Sequence, residues 1–274
     1  SWTLIQPDCD IIQFGDEEGT AEIATKFNLR HVQDIKRNEY GTPLVNDLFA
    51  KAQNLAKHNI LCYVNCDIIF TNNLLDTITR VQNQFQKFLI IGQRWDVDVT
   101  ELIDFKQPNW EQKLLKYTIH SGNLHPPTGI DYFIFPRGTL GTLLPFAIGR
   151  PVWDNWLIFK ARMLDIPVID ATRSITAIHQ NHDYSHIPSG IGKAWEGPEA
   201  EYNRKLLSGM DHIFDILDAT HIITPRALSL ALRPKYLLRK LENNPILKPV
   251  IRPTINLINT AIQRIISFHS RLIL

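Results

Sequence analysis

Cysteine is scarce in this sequence: its 274 residues include three, Cys9, Cys62 and Cys66. A disulfide framework is therefore excluded as a source of stability. Cys62 and Cys66 lie four positions apart in a strand-like run, about 13 Å along an extended chain, whereas a disulfide needs Cα atoms within about 7 Å. We expect reduced thiols in the core, which is typical of a cytoplasmic protein.

Long apolar runs and targeting signals are also lacking. No apolar run approaches the roughly 18 residues that indicate a membrane span. The first four residues have neither the basic start nor the cleavage-like end of a secretory signal. With 44% hydrophobic and 21% charged residues, the composition is that of a globular protein. The length allows one large domain or two small ones.

Acidic residues are almost absent from the end of the chain. Residues 226–274 contain nine Lys or Arg and one acid, Glu242, so this segment carries a net charge of +8 and residues 1–225 carry −7. Its Leu and Ile residues alternate with the basic ones, which predicts helices with an apolar face for an anionic membrane surface. Packing on the rest of the chain or a dimer contact is the alternative. The scarcity of aromatic residues argues against nucleic acid as a partner.

Strand-like and helix-like segments alternate through the first 180 residues. The β-rich apolar runs are residues 9–15, 29–35, 60–70, 88–93, 131–136, 167–171 and 174–180. The segments with helical periodicity are residues 19–28, 43–58, 73–86 and 153–164. This alternation predicts an α/β fold with a mostly parallel sheet sandwiched by helices. Ligands of such folds bind beyond the carboxyl ends of the strands.

A carboxylate interrupts the apolar run at residues 60–70. Asn65 and Asp67 lie on the same side of an extended chain, because side chains alternate between the faces of a strand. A charged carboxylate beside a buried strand is costly unless its charge is compensated. Asp67 is suited to bind Mg²⁺ or Mn²⁺, which would neutralise a diphosphate, and Asn65 is suited to bind a sugar hydroxyl. Alternatively, Asp67 caps the turn that follows.

The sequence Gly-Arg-Pro-Val-Trp-Asp-Asn-Trp, residues 149–156, opens a predicted helix. An acid such as Asp154 is favoured at a helix start by the macrodipole, so capping is one sufficient explanation. Trp153 and Trp156 would alternatively form an apolar wall around that acid, which is a common way to bind a sugar ring. Asn155 would then add a hydrogen-bonding group for the same ligand.

Polar residues also flank two other predicted strands. Arg94 follows the strand at residues 88–93, and Asp131 begins the next one. Either the two side chains form a structural ion pair, or Arg94 binds a phosphate and Asp131 binds sugar hydroxyls.

Three of the ten histidines are close together, at positions 179, 182 and 186. Neutral imidazole is a common metal ligand. A strand leads into this segment and Asp-Tyr-Ser lies within it, which argues against a zinc site on one helix face. A His-rich surface loop is the alternative to a role in cation binding.

The order of these elements resembles the donor-binding half of a GT-A glycosyltransferase. In that family a helix and a hydrophobic strand lead into an Asp-x-Asp triplet, which matches Asn65-Cys66-Asp67 here. The chain departs at the first position, but the last acid is the main metal ligand in the family. Over residues 1–215 the chain is also similar to a group of bacterial and plant glycosyltransferase-like proteins. The segments that carry this similarity are RNEYGTP, NCD, GIDYFIFPRG, GRPVWDNW and IHQNHDYSH.

The resemblance implies roles for particular residues. In inverting members an aromatic-and-acid motif opens a helix at this point, and its acid, here Asp154, is the general base on the acceptor hydroxyl. Metal-dependent members often supply a late histidine to the same cation as the triplet acid. His179 or His182 matches that position and would share Mn²⁺ or Mg²⁺ with Asp67.

The resemblance also implies contacts with the donor from two loops. Arg37 and Asn38 precede a helix where loop groups contact the nucleotide or the sugar in this fold. Lys193 lies in the Gly/Pro-rich segment 187–200, a predicted lid, and would meet a phosphate. The first strand of the fold, whose loop binds the base, is expected to be absent from this chain. The donor is therefore predicted only as a UDP- or GDP-linked sugar.

Together these features predict a glycosyltransferase that moves a sugar from a nucleotide-diphosphate sugar to the hydroxyl of a glycan or glycolipid. Residues 1–215 would form the catalytic domain, and residues 216–274 a helical, basic extension on a peripheral membrane surface. A nucleotidyltransferase is an alternative, although the Gly-rich loop and Lys that such enzymes need are not found. A non-catalytic carbohydrate-binding or scaffold protein is another, which the replacement of the first triplet acid by Asn65 would favour.

Overall fold

A computed structural model of the chain describes residues 1–5, 9–181, 195–244, 246–247, 249 and 251. The chain divides into two compact units, Ser1–Leu230 and Ala231–Leu274. The first unit therefore extends beyond residue 215, where the catalytic domain was predicted to end. Two strands follow that position, at His221–Ile223 and Leu228–Leu230, and both belong to the main sheet.

Seven α-helices lie in the described parts of the chain. They are α1 Thr20–Lys26, α2 Val45–Leu55, α3 Asn73–Gln82, α4 Trp110–Ser121, α5 Trp153–Met163, α6 Pro198–Leu206 and, in the second unit, α7 Pro234–Glu242. The strands are β1 Ile12–Phe14, β2 Arg30–Val32, β3 Ile60–Val64, β4 Ile68–Phe70, β5 Leu89–Ile91, β6 Arg94–Val97, β7 Asn123–Leu124, β8 Tyr132–Pro136, β9 Val168–Asp170, β10 Ala177–Gln180, β11 His221–Ile223 and β12 Leu228–Leu230. The predicted α/β class is confirmed.

The main sheet has six strands in the order β12-β11-β9-β5-β8-β3. Strand β9 runs parallel to β5 and β11, whereas β8 runs antiparallel to both β3 and β5. The prediction of a mostly parallel sheet was therefore wrong. After β5 the chain continues into a second sheet instead of crossing back over a helix. It returns to the main sheet at the end where β5 finishes, so β8 runs antiparallel to β5.

Strand β8 shows how both faces of the main sheet are covered. Alternate side chains of a strand point to opposite faces. Tyr132 and Ile134 belong to a buried cluster that also contains α3 side chains such as Val81. Phe133 and Phe135 face the other way, where Phe135 stacks on Phe49 of α2, with ring centroids 5.7 Å apart. All four side chains are buried because helices lie on both sides.

The second sheet has four strands in the order β4-β10-β6-β7, and β1 and β2 form a separate parallel pair. The predicted strand at residues 60–70 is thus two strands in two sheets, β3 and β4, joined by residues 65–67. Helix α4, which the sequence analysis did not predict, packs Leu114 against Val97 and Ile178 of the second sheet. The junction at residues 65–67 is where the candidate site lies.

Cys62 and Cys66 form no disulfide, as predicted, but both residues are exposed and do not belong to the core. Cys62 lies on β3, which is an edge strand of the six-stranded sheet in the described part of the chain, and Cys66 lies in the junction after β3. No helix among the described residues is long and apolar enough to span a bilayer.

Candidate active site

The junction after β3 holds a hydrogen-bonded chain of side chains. The hydroxyl of Tyr63 donates to Oδ1 of Asn65 at 2.8 Å, and Nδ2 of Asn65 donates to Oδ1 of Asp131 at 2.7 Å. The backbone N–H of Asn65 also donates to the carbonyl of Asp131 at 3.0 Å, which continues the β3–β8 ladder by one residue. Asn65 is therefore used to hold Asp131 in place.

Histidine 179 lies between two carboxylates because of strand register. It is on β10, between β4 and β6, and its pairing partners are Ile68 and Asp96. Its Nε2 lies 3.3 Å from Oδ2 of Asp67, which immediately precedes β4, and its Nδ1 lies 3.3 Å from Oδ1 of Asp96. The imidazole is 5% exposed and the Asp67 side chain is 33% exposed, so a ligand from solvent would approach from the Asp67 side.

Arg94 connects the two sheets. Its Nη1 donates to Oδ1 of Asp131 at 2.7 Å, and its Nε donates to Oδ1 of Asp96 at 2.8 Å. Of the two alternatives for Arg94 and Asp131, the ion pair is present in the structure. Nearby negative charge from Asp131 and Asp96 raises the pKa of Arg94 in spite of its burial, which acts in the opposite direction.

His125 is a site residue that no sequence pattern indicated. It follows β7, and its Nδ1 lies 2.6 Å from Oδ2 of Asp96. The hydrogen bonds from His125 and Arg94 lower the pKa of Asp96, although partial burial opposes this. The His125 ring packs so closely on Gly129 that a Cβ at position 129 would clash with it. A single histidine in a loop gave no pattern in the sequence.

Asp154 lies in the first turn of α5, and the chain reaches it through an unusual backbone geometry. The preceding Val152 has φ 79°, a left-handed conformation that costs a β-branched residue about 1–3 kcal/mol. The buried Asn203 of α6 stabilises this turn, since its Nδ2 donates to the carbonyls of Ala147 at 3.0 Å and Pro151 at 3.2 Å. Helix α6 therefore fixes the approach to Asp154.

Burial is the main cause of the raised pKa of Asp154. Burial raises the pKa of its carboxyl to about 7, the backbone N–H of Asn155 opposes this, and the negative charge of Asp131 adds to it. A carboxyl with this pKa exchanges its proton near neutral pH, which is the property that a general base requires.

Asp67, Asp131 and Asp154 all affect the pKa of the Tyr63 hydroxyl. Burial raises the pKa of Tyr63, and the negative charges of Cys66, Asp131, Asp154 and Asp67 raise it further. One hydroxyl thus lies within electrostatic reach of carboxylates from the β3–β4 junction, the start of β8 and the start of α5. Asn65 links the Tyr63 hydroxyl to Asp131, and the ring of Trp153, the neighbour of Asp154, packs on the Tyr63 ring at 5.2 Å. Asp131 and Asp154 therefore lie at the same edge as the junction that holds Asp67.

The two residues that flank Asp154 serve packing and loop geometry. Trp153 is 6% exposed, and its ring meets that of Tyr63 edge to face at 5.2 Å. Trp156 is also buried, against Phe146. The expected open wall of two tryptophans is therefore not formed. Nδ2 of Asn155 donates to the carbonyl of Phe214 at 2.8 Å, so this amide ties a loop to α5.

Arg37 and Asn38 lie between β2 and α2, where other side chains of the protein contact them. Arg37 forms ion pairs with Asp16 and Glu17, in the loop after β1. Nδ2 of Asn38 donates to Oε1 of Glu199 on α6 at 2.7 Å. The charge of Glu17 also raises the pKa of Cys66, after burial and Asp67, so the loop that holds Arg37 lies near the junction.

Lys193 and His182, which were predicted to bind the donor and the cation, lie outside the described residues. Among the described residues, no group of three or more His, Cys, Asp or Glu side chains is placed to hold a metal ion. Two adjacent ligands of Mg²⁺ at about 2.1 Å stand about 3.0 Å apart in octahedral geometry. Asp67 Oδ2 and His179 Nε2 are 3.3 Å apart. The separation of this carboxylate–imidazole pair is close to that of two adjacent ligands of a Mg²⁺ or Mn²⁺ ion.

Comparison with models of known protein families found no match for this chain. Comparison with curated proteins also found none at a significant level of similarity.

The raised pKa of Asp154 predicts a pH-dependent effect on stability. Between the unfolded pKa, about 3.9, and the folded pKa, about 7, the folded state binds more protons than the unfolded state, so this group's contribution is lost as pH rises. Asp154→Asn keeps an acceptor without a charge. We expect it to raise the free energy of unfolding by about 1–2 kcal/mol at pH 8 and to have little effect at pH 4. Urea denaturation at both pH values measures this difference.

Asp98, an exposed acid directly after β6, provides the control for that measurement. Asp98→Asn should show no comparable gain at pH 8. An Asp154→Asn protein with equal gains at pH 4 and pH 8 would contradict a folded pKa near 7.

Proposed function

We propose that this chain is a GT-A glycosyltransferase that transfers a sugar from a UDP- or GDP-linked donor to a hydroxyl of a glycan or glycolipid. The observation that carries the proposal is the meeting of two kinds of group at one edge. Asp67 and His179 form a carboxylate–imidazole pair with a separation of 3.3 Å, and Asp67 lies within electrostatic reach of the Tyr63 hydroxyl, as does Asp154, whose pKa is about 7. A metal-assisted, inverting transfer of a sugar from a diphosphate uses both groups.

The position of the site supports assignment of the α/β unit to the GT-A type. The Asn-Cys-Asp triplet follows β3, and Asp131 precedes the antiparallel β8 at the same edge. Asp154 opens α5, the helix that leads into β9. Ligands of α/β sheets bind at such strand ends.

Each residue has a definite task in this proposal. Asp67 and His179 hold a divalent cation, which when bound stabilises the negative charge of the departing diphosphate. Asp131, positioned by Asn65 and Arg94, is placed to accept hydrogen bonds from the donor sugar.

Asp154 acts on the acceptor. Its carboxylate takes the proton of the acceptor hydroxyl while the oxygen forms a bond to the anomeric carbon. The bond from that carbon to the diphosphate breaks, and its electron pair leaves with the diphosphate. This single displacement inverts the anomeric centre.

Binding of Mn²⁺ and nucleotide tests the proposed cation pair. We expect isothermal titration calorimetry to show that Mn²⁺ increases the affinity for UDP or GDP, and that Asp67→Ala abolishes this increase because one of the two ligands is lost. Asp98→Ala, which removes a nearby exposed acid, is the matched control and should bind as the unaltered chain does. Nucleotide binding that is independent of Mn²⁺ would contradict the cation role.

The same titration and an assay for pyrophosphate separate the alternatives. Absence of any nucleotide binding would favour the non-catalytic carbohydrate-binding or scaffold protein. Release of pyrophosphate from a nucleoside triphosphate and a sugar phosphate would identify the nucleotidyltransferase instead.

Sugar transfer tests the role of Asp154. We expect Asp154→Asn to lower the rate of transfer about 100-fold or more with donor affinity unchanged, because an amide cannot take the acceptor proton. In the unaltered protein the logarithm of the rate should rise with pH up to about 7 and then level, since the base works in its deprotonated form. A variant that transfers at the normal rate would remove Asp154 from the mechanism.

We also propose that the protein acts at an anionic membrane surface from the cytoplasmic side, where its cysteines would remain reduced. In α7 the exposed apolar residues Leu237, Leu238 and Leu241 stand among Lys235, Arg239 and Lys240. Cationic side chains around an apolar face favour anionic lipid headgroups.

Liposome flotation tests this surface. The truncation belongs after Leu230, because a cut at residue 226 would remove β12 from the main sheet. We expect the full chain to float with vesicles containing phosphatidylserine, less so at high salt, and the chain without residues 231–274 to remain in the soluble fraction. Equal flotation of the two proteins would exclude the extension as the membrane-binding part.

A further inference from the structure

Val152 is a strained point in the backbone that leads to Asp154. Its φ of 79° lies in the left-handed region, where a β-branched side chain is disfavoured, and it gives α5 no side-chain cap. Backbone strain of this kind persists only where surrounding groups hold it, and it is common at functional sites. The proposed reaction uses Asp154, two residues further on, but it gives no task to the groups that hold the turn.

The side chain that holds this turn is Asn203 of α6. It is 0% exposed, and both of its polar atoms bond to the segment before α5. Oδ1 accepts from the backbone N–H of Ala147 at 2.8 Å, and Nδ2 donates to the carbonyls of Ala147 at 3.0 Å and Pro151 at 3.2 Å. The Pro151 carbonyl belongs to the peptide group directly before Val152. A change of φ at Val152 therefore either breaks this bond or moves the start of α5.

Glu199, one turn before Asn203 on the same face of α6, holds the same segment. Its Oε2 accepts from Nε and Nη2 of Arg150 at 2.9 and 2.5 Å. Backbone hydrogen bonds to residues 43–45 hold residues 146–148 from another side. Helix α6 is therefore the element that anchors the last part of the segment, next to the strained residue.

We propose that Asn203 is a positioning residue that keeps Val152 in its strained conformation and so places the Asp154 carboxyl at the edge of the site. The effect on the carboxyl is independent of any ligand, whereas the effect on sugar transfer rests on the proposed function. Asp131 and Tyr63, which interact electrostatically with Asp154, lie at β8 and β3 of the main sheet. We expect them to stay in place when α6 loses its amide, so a change at Asp154 reports its own movement.

Titration of the Asp154 carboxyl tests this role. Its ¹³C signal is followed against pH in the ligand-free protein and is assigned by its loss in Asp154→Asn. We expect a midpoint of about 7 in the unaltered chain. In Asn203→Ala the turn relaxes and water reaches the carboxyl, so the midpoint should fall by about one pH unit or more. An unchanged midpoint in Asn203→Ala would overturn the proposal.

Val152→Gly provides a rescue that a purely structural role of Asn203 would not show. Glycine adopts a positive φ without strain, so the turn no longer depends on the amide. In the double variant Asn203→Ala with Val152→Gly, we expect the midpoint to return to within about half a unit of that of the unaltered chain. A midpoint as low as in Asn203→Ala alone would count against the strained turn and overturn the proposal.

Val81→Ala is the matched control for a general loss of stability. Val81 is also fully buried, but it lies on α3, in the cluster on the opposite face of the main sheet. We expect urea denaturation to show a lower stability, with the Asp154 midpoint unchanged. A midpoint that falls as far as in Asn203→Ala would identify the shift as an effect of destabilisation and overturn the proposal.

The two proposals fail in different ways. We expect Asn203→Ala to lower kcat for sugar transfer about 10-fold or more, with KM for the donor unchanged, because the base is misplaced. If the unaltered chain transfers no sugar, the proposed function fails, while the titration still decides the role of Asn203.

A second variant covers the case in which circular dichroism shows that Asn203→Ala does not fold. Asn203→Ser then replaces it, because a serine hydroxyl can hydrogen-bond to its own helix backbone. That hydroxyl has one hydrogen, so it cannot donate to the carbonyls of both Ala147 and Pro151. We expect the Asp154 midpoint to fall in the same direction, and a midpoint equal to that of the unaltered chain would overturn the proposal.

Discussion

The guanidinium of Arg94 makes the candidate site possible, because acidic side chains from separate elements crowd into one edge. Arg94 begins β6 in the four-stranded sheet, and it contacts Asp131 at the start of β8 in the six-stranded sheet. Through Asp96 it also stabilises the contacts around His179. Breaking a buried ion pair leaves a charge without compensation, at a cost of about 3–5 kcal/mol. One side chain thus aligns the two sheets and allows their acids to approach each other.

Several parts of the site were predictable from the chain alone. The apolar runs identified β5, β8, β9 and β10 closely, because buried strands need continuous apolar sequence. Residues next to such runs were then placed at the strand ends. Asp67, Arg94, Asp131 and His179 were selected in this way, and the structure brings them into one connected group.

Other parts depend on pairing between distant segments, which no local pattern encodes. The antiparallel direction of β8 follows from the path of the chain through the second sheet, and the contacts of Asp96 follow from the register of β6 and β10. His125 reaches the site from a loop. The burial of Trp153 against Tyr63 depends on the packing of α5 on the main sheet. The motif around Asp154 predicted a tryptophan wall for a sugar, but this tertiary contact buries Trp153.

The junction at residues 65–67 belongs to two sheets at once, since Asn65 extends the ladder with β8 and Asp67 leads into β4 beside β10. Its three residues therefore act as a spacer of fixed length. An insertion or deletion here would leave both hydrophobic interiors intact, yet it would shift Asp67 out of step with His179. Natural or engineered sequences of this fold should tolerate changes of residue type at position 66, whose side chain is exposed, far better than any change in the number of residues.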